Sequence, residues 1–160
     1  MDPLERLNAA EEIRTLKGRY CRGVDQKDAA LFASVFADDA VADYGESLID
    51  PATGEGISQK TVGAPTEPLR GPRAITEAVM SAIAQLVTVH HCATGEIYVE
   101  GPDVARATWP MVDRLRFPPG SPSREIIGYG FYHETYVRQG GAWKIRTVKL
   151  VRTRVDHIPF

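Results

Sequence analysis

Two hydrophobic periods divide this chain. Up to about residue 86 the apolar positions recur three or four residues apart, and from Val87 onward they alternate. Asn8 followed by Glu11 reads as a capping box, and Ala9, Ile13, Leu16 and Tyr20 then keep helical spacing until Gly23 interrupts them. This predicts a first helix over about residues 9–23. Asp28 is placed to cap a second helix whose stripe is Leu31, Phe32, Val35 and Phe36, ending before Asp38 and Asp39. A short strand is expected at Val41–Tyr44. Pro72 suits the first turn of a third helix, with Ile75, Val79, Ile83 and Leu86 on one side.

The alternating half carries turn signals at Gly101-Pro102-Asp103, Pro118–Ser123 and Gly140-Gly141, which predicts an antiparallel meander. Helices first and long strands second indicate an α+β domain in which a curved sheet wraps the helices. Residues 45–71 break both periods. This stretch holds five glycines and three prolines, and it is long for a loop inside one domain. A lid, an arm to a neighbouring subunit and a disordered segment are all open readings of it.

Composition narrows the class. A chain of 160 residues, 43% apolar and 25% charged, suits a single domain over residues 1–160 that buries roughly two-thirds of its unfolded surface. With 19 basic and 21 acidic residues the net charge is −2, too small to draw in nucleic acid or an anionic membrane. The first residues lack an apolar core with a cleavage site, and no window approaches the ~18 apolar residues of a membrane span, so a cytoplasmic location is expected. Cys21 and Cys92 are too few for a disulfide framework and lack metal-type spacing, so two reduced thiols and no metal site are expected.

Three distant stretches supply side chains that move protons: Tyr20 with Asp25, His91, and Arg152. Alternation puts His91 on a face with Val87, Val89 and Ala93, and His90 on the other with Thr88, Cys92 and Thr94. If the valines face the core, His91 points inward, as a hydrogen-bonded core residue or as a catalyst. In the next strand Asp113 is the one ionisable member of the face that carries Trp109, Met111 and Leu115. It serves either a site or a structural ion pair with the region of Arg114 or Arg116. Trp143 and Ile145 differ in parity from Val148 and Leu150, so a bulge near Arg146–Val148 would turn both pairs, and Arg152, inward. Asp25 falls just past the first helix, where the helix dipole would raise its pKa; it serves chemistry or caps the following helix. Tyr20 packs on the helix core with its hydroxyl reaching a polar partner.

The run L-K-G-R-Y-C-R-G-V-D-Q-K-D, the strand W-P-M-V-D-R-L-R-F, and G-F-Y-H-E-T-Y followed by G-A-W-K-I-R-T-V-K-L-V-R resemble the SnoaL-like branch of the nuclear transport factor 2-like superfamily. The resemblance is nearest to the bile-acid 7α-dehydratase group, with scytalone dehydratase and hexachlorocyclohexane dehydrochlorinase further off, and it spans nearly all of the chain outside residues 45–71. It implies a cone-shaped α+β barrel, with the N-terminal helices packed in a curved, mostly antiparallel sheet. It also implies a catalytic Asp25–His91 dyad in a cavity, with Tyr20 and Arg152 as further catalytic residues and Trp109, Asp113 and Tyr132 against the substrate. Unlike scytalone dehydratase, the chain has no histidine between Gly101 and Phe117.

The function implied is a cofactor-independent lyase that removes water from a hydrophobic, hydroxylated, steroid- or polyketide-like substrate. An isomerase of the same fold, a non-catalytic carrier of small apolar molecules and a small subunit of a larger oxygenase are the alternatives. The expected partners are a small hydrophobic substrate and copies of the chain itself, as a trimer before a dimer.

Overall fold

A computed structural model describes residues 1–57 and 67–160. Helix α1 spans Pro3–Gln26, longer at both ends than the apolar stripe predicts. Its capping box is Asp2 with Glu5, and Pro3 fits the first turn, so Asn8 lies inside the helix rather than at its cap. Lys27 ends it in the left-handed conformation (φ 57°), and Asp28 then caps α2 (Ala29–Ser34) through the Leu31 amide. α2 is shorter than expected. Val35 and Phe36 leave it, and Phe36 begins strand β1 (Phe36–Asp43). The two helices cross closely because Gly23 has no Cβ; one would stand 3.0 Å from the Phe32 backbone.

A 3-10 turn at Glu46–Leu48 and the two-residue strand β2 (Leu69–Arg70) lie within the 45–71 stretch, and residues 58–66 of that stretch lie outside the described residues. Helix α3 spans Pro72–Ile83, and the meander follows as β3 (Val87–Cys92), β4 (Glu96–Val99), β5 (Val104–Arg116), β6 (Glu125–Gln139) and β7 (Ala142–Ile158). The sheet order is β2-β1-β7-β6-β5-β3, with β4 pairing a separate length of β5. Among the described residues only β1 and β7 run parallel. The sheet is curved and does not close, and it holds α1 in its hollow in the expected cone-shaped α+β arrangement.

The core lies between α1 and the inward parity of the sheet. α1 buries Ala9, Ile13, Leu16, Tyr20 and Val24, and β5 and β6 bury Ala105, Ala107, Trp109, Met111, Tyr132 and Tyr136 against them. At the β6–β7 pair, Thr135 faces Thr147 while Tyr136 faces Ile145, so Arg146 is the extra residue of a bulge. The bulge keeps Trp143, Ile145, Val148, Leu150 and Arg152 all buried, as their change of parity predicts.

Candidate functional site

The last turn of α1 aims Asp25 at β3, and the histidine it meets is His90. The Asp25 Oδ1 lies 2.7 Å from His90 Nδ1, and Oδ2 accepts the His90 backbone N–H at 2.8 Å. The Thr88 hydroxyl donates to Oδ1 at 3.0 Å and in turn accepts from the Lys27 ammonium at 3.0 Å. His91 lies on the exposed outer face. The expected dyad is therefore corrected by one residue, and pairing with β5 shows why. His90 sits opposite Asp113, and Thr88 and Cys92 sit opposite Leu115 and Met111, on the face that turns inward. Val87 and Val89, which suggested the opposite orientation, are 65% and 40% exposed on the outside of this edge strand.

The electrostatics of Asp25 also reverse the sequence expectation. Burial alone would raise its pKa, as the helix C-terminus would. The side-chain bond to His90, the His90 amide, the imidazole charge and the Thr88 hydroxyl outweigh burial, so the carboxyl titrates below its ordinary range. Asp25 caps no helix; Asp28 does that work. With its Nδ1–H given to a carboxylate, the His90 ring is held in the tautomer that leaves Nε2 as an acceptor.

That Nε2 stands 3.8 Å from Asp113 Oδ2. Asp113 is 1% exposed and is gripped in bidentate fashion by Arg152 at 2.7 and 2.6 Å, with a third bond from the Gly128 amide at 3.1 Å. Burial disfavours the guanidinium charge, but the paired carboxylate outweighs it and keeps Arg152 more firmly protonated than a free arginine. The Arg152 Nε–H donates to the Ser47 carbonyl at 2.8 Å. Asp113 thus does have an ion-pair partner, but not the one its neighbours suggest. Arg114 points outward to Glu125, at 2.7 and 3.0 Å. Gly128 makes room for the pair, because a Cβ there would land in the Arg152 guanidinium.

Tyr20, Tyr44, His90, Asp113, Tyr132 and Arg152 line one cavity of about 140 Å³, closed by apolar side chains of α1, α3, β5 and β7. The Tyr20 and Tyr44 hydroxyls are 2.9 Å apart. Burial, the largest influence on both, holds each phenol well above its ordinary pKa, so both stay neutral and one hydroxyl donates to the other. Trp109 is inward but away from this cavity. Its indole N–H donates to Tyr136 at 2.8 Å, and Tyr136 donates to Glu134. Glu134 accepts from the buried Lys17 ammonium at 2.5 Å, which lies over the rings of Tyr20 (4.0 Å) and Tyr132 (3.4 Å). Among the described residues no three His, Cys, Asp or Glu side chains converge as a metal site, and no helix is long and apolar enough to cross a membrane.

Of the residues singled out from the sequence, Tyr20, Asp113, Tyr132 and Arg152 come together at this cavity and Asp25 joins them through His90, whereas His91 and Trp109 lie elsewhere; His90, Tyr44 and Ser47 are not among them. The signal for His90 was present: Asp113 on a buried face calls for a polar neighbour, and the two-histidine pair offers one residue for each face.

The SnoaL-like domain model matches residues 5–149. The chain belongs to the SnoaL-like family. Solved structures of the same fold include a type 2 hexachlorocyclohexane dehydrochlorinase, at 19% identity and TM-score 0.76 over 99% of this chain and 97% of that one. A candidate scytalone dehydratase from Novosphingobium aromaticivorans also matches at 19% identity, with TM-score 0.75 over 98% and 95%. The type 3 dehydrochlorinase from Novosphingobium barchaimii is 18% identical, with TM-score 0.75 over 99% and 98%. In this SnoaL-like domain the hollow of the cone therefore holds a histidine–carboxylate pair, a neutral tyrosine pair and a fixed Asp–Arg pair around one small cavity.

Proposed function

We propose that the chain is an acid–base lyase that dehydrates a small, largely apolar ring bearing a hydroxyl group two carbons from a carbonyl. The observation that carries this reading is His90: its Nδ1 is 2.7 Å from Asp25 and the ring borders the cavity shared with Tyr20 and Tyr44. His90 Nε2 takes the proton alpha to the carbonyl, and the C–H electrons move into an enolate. The negative charge developing on the carbonyl oxygen accepts a hydrogen bond from Tyr20 or Tyr44, both neutral. The enolate then expels the hydroxyl group, which leaves with the proton from His90 as water. Asp25 holds the ring and stabilises the imidazolium, and the Asp113–Arg152 pair beside Nε2 fixes the charge on its far side.

The cavity suits a single ring. Its volume is close to that of an engineered cavity of about 150 Å³ that takes up benzene. A steroid- or polyketide-like substrate would insert its reacting ring and leave the rest towards the mouth. Support also comes from the fold neighbours, two of them dehydrochlorinases and one a candidate dehydratase, all names that denote eliminations.

The experiment is turnover of a panel of cyclic β-hydroxy ketones and hydroxylated enones, read by product mass. Loss of one water, falling roughly 10²–10⁴-fold in His90→Ala, supports the lyase. Proton relocation at constant mass makes the protein an isomerase, and tight ligand binding without turnover makes it a carrier.

A further inference from the structure

The mechanism leaves one pair of nucleophilic side chains unused. Cys21 of α1 and Cys92 of β3 are free thiols, each half-buried, with their sulfurs 3.7 Å apart. Cys21 lies one helical turn before Asp25, and Cys92 lies on the same strand face as His90, two residues on. The two thiols therefore span the same helix-to-strand gap as the Asp25–His90 pair, one step along it. Both sulfur side chains line a surface groove of about 480 Å³, together with Lys17 and His90, which gives a small solute a way in. The hydrogen bond shared with Cys21, foremost, holds the Cys92 thiol below its ordinary pKa against the effect of burial, and the Lys17 ammonium acts in the same direction. Cys21, its partner in that bond, is held above its own.

We propose that Cys21 and Cys92 are a redox modification site, forming a reversible disulfide that pins α1 to β3 beside the Asp25–His90 pair. The oxidant class is a hydroperoxide. The Cys92 thiolate attacks the terminal peroxide oxygen; the S–O bond forms, the O–O bond breaks, and with hydrogen peroxide one water leaves after protonation. Cys21 then attacks the resulting Cys92 sulfenic sulfur and gives up its proton, and the displaced hydroxide leaves as a second water. Two thiols lose two electrons and the peroxide gains them. Closing from 3.7 Å to a bond of about 2 Å brings the two sulfurs together by less than about 2 Å.

The test uses the full chain and no substrate, so its outcome is independent of the lyase reading. Reduced protein is treated with hydrogen peroxide and compared with the same sample returned to dithiothreitol. The expected results are an intact mass lower by two hydrogens, no free thiol under denaturing conditions, and a monomeric chain linked between the Cys21 and Cys92 peptides. A rise in Tm of roughly 5–10 °C should accompany this and reverse on reduction, because the cross-link closes a long loop. Cys21→Ser should stop at the sulfenic acid and take one dimedone adduct at Cys92. Two thiols that survive oxidation, a link only between chains, or an unchanged Tm in the cross-linked protein would overturn the proposal.

Discussion

Helix α1 carries two polar centres, eight residues or about 12 Å apart, and they are built for different ends. At Lys17 an ammonium meets Glu134, with Tyr136 and Trp109 completing the chain of hydrogen bonds and two tyrosine rings covering the charge. Both ion-pair side chains are 2% exposed or less, and neither borders the 140 Å³ cavity. At Asp25 the carboxylate is a quarter exposed, and its histidine has one nitrogen committed and the other at the cavity wall, 3.8 Å from Asp113. The first centre is saturated and holds the cone together. The second keeps an unused acceptor at a cavity wall, which is what proton transfer needs and what a purely structural pair lacks.

The sharpest break of that comparison uses the adjacent histidines. His90→Ala should lower turnover roughly 10²–10⁴-fold, while His91→Ala, on the outer face, should change it less than about twofold. Equal losses, or none, in steady-state kcat would erase the distinction between the two centres. At the saturated centre the effect should fall on stability. Glu134→Ala leaves a buried ammonium unpaired and should cost about 3–5 kcal/mol in urea unfolding, and Lys17→Met combined with Glu134→Gln should recover part of it. Gly128→Ala tests the cavity wall beside His90. Its new methyl group displaces the Arg152–Asp113 pair and should cost about 1–3 kcal/mol, with a larger proportional loss of turnover than of stability.

The smallest effect is in pH. The folded pKa of Asp25 lies below its unfolded value, so its contribution is complete above about pH 4 and is lost as pH falls through the lower folded value. The stability advantage of the native chain over Asp25→Asn should therefore shrink as the pH falls below about 4. An advantage that grows over that acid range would mean that the hydrogen bonds to Asp25 do not dominate its burial.

Much of this was legible in the sequence where one face of an element is plainly apolar. The stripe of α1, the inward parity of β5 and the β7 bulge follow from Ala9–Tyr20, from Trp109–Leu115 and from the parity change between Ile145 and Val148. Edge strand β3 misleads because its two valines lie outside while its polar side chains meet the hollow, so an apolar-in rule selects His91. Helix ends shifted for a similar reason. Asp2, Pro3 and Glu5 outcompete Asn8 at the start of α1, and the pull of β7 on Phe36 shortens α2. Tyr44 and Ser47 join the site through the folding of β1 and the turn after it, and neither carries a local pattern that marks it.

The most direct test of the central claim is the tautomer and partner of His90, read from long-range proton–nitrogen NMR of the imidazole rings. The His90 ring should be protonated at Nδ1, with a downfield, slowly exchanging Nδ1 proton that is lost in Asp25→Asn, while His91 shows neither feature. A His90 ring protonated at Nε2, or a spectrum unchanged by Asp25→Asn, would contradict it.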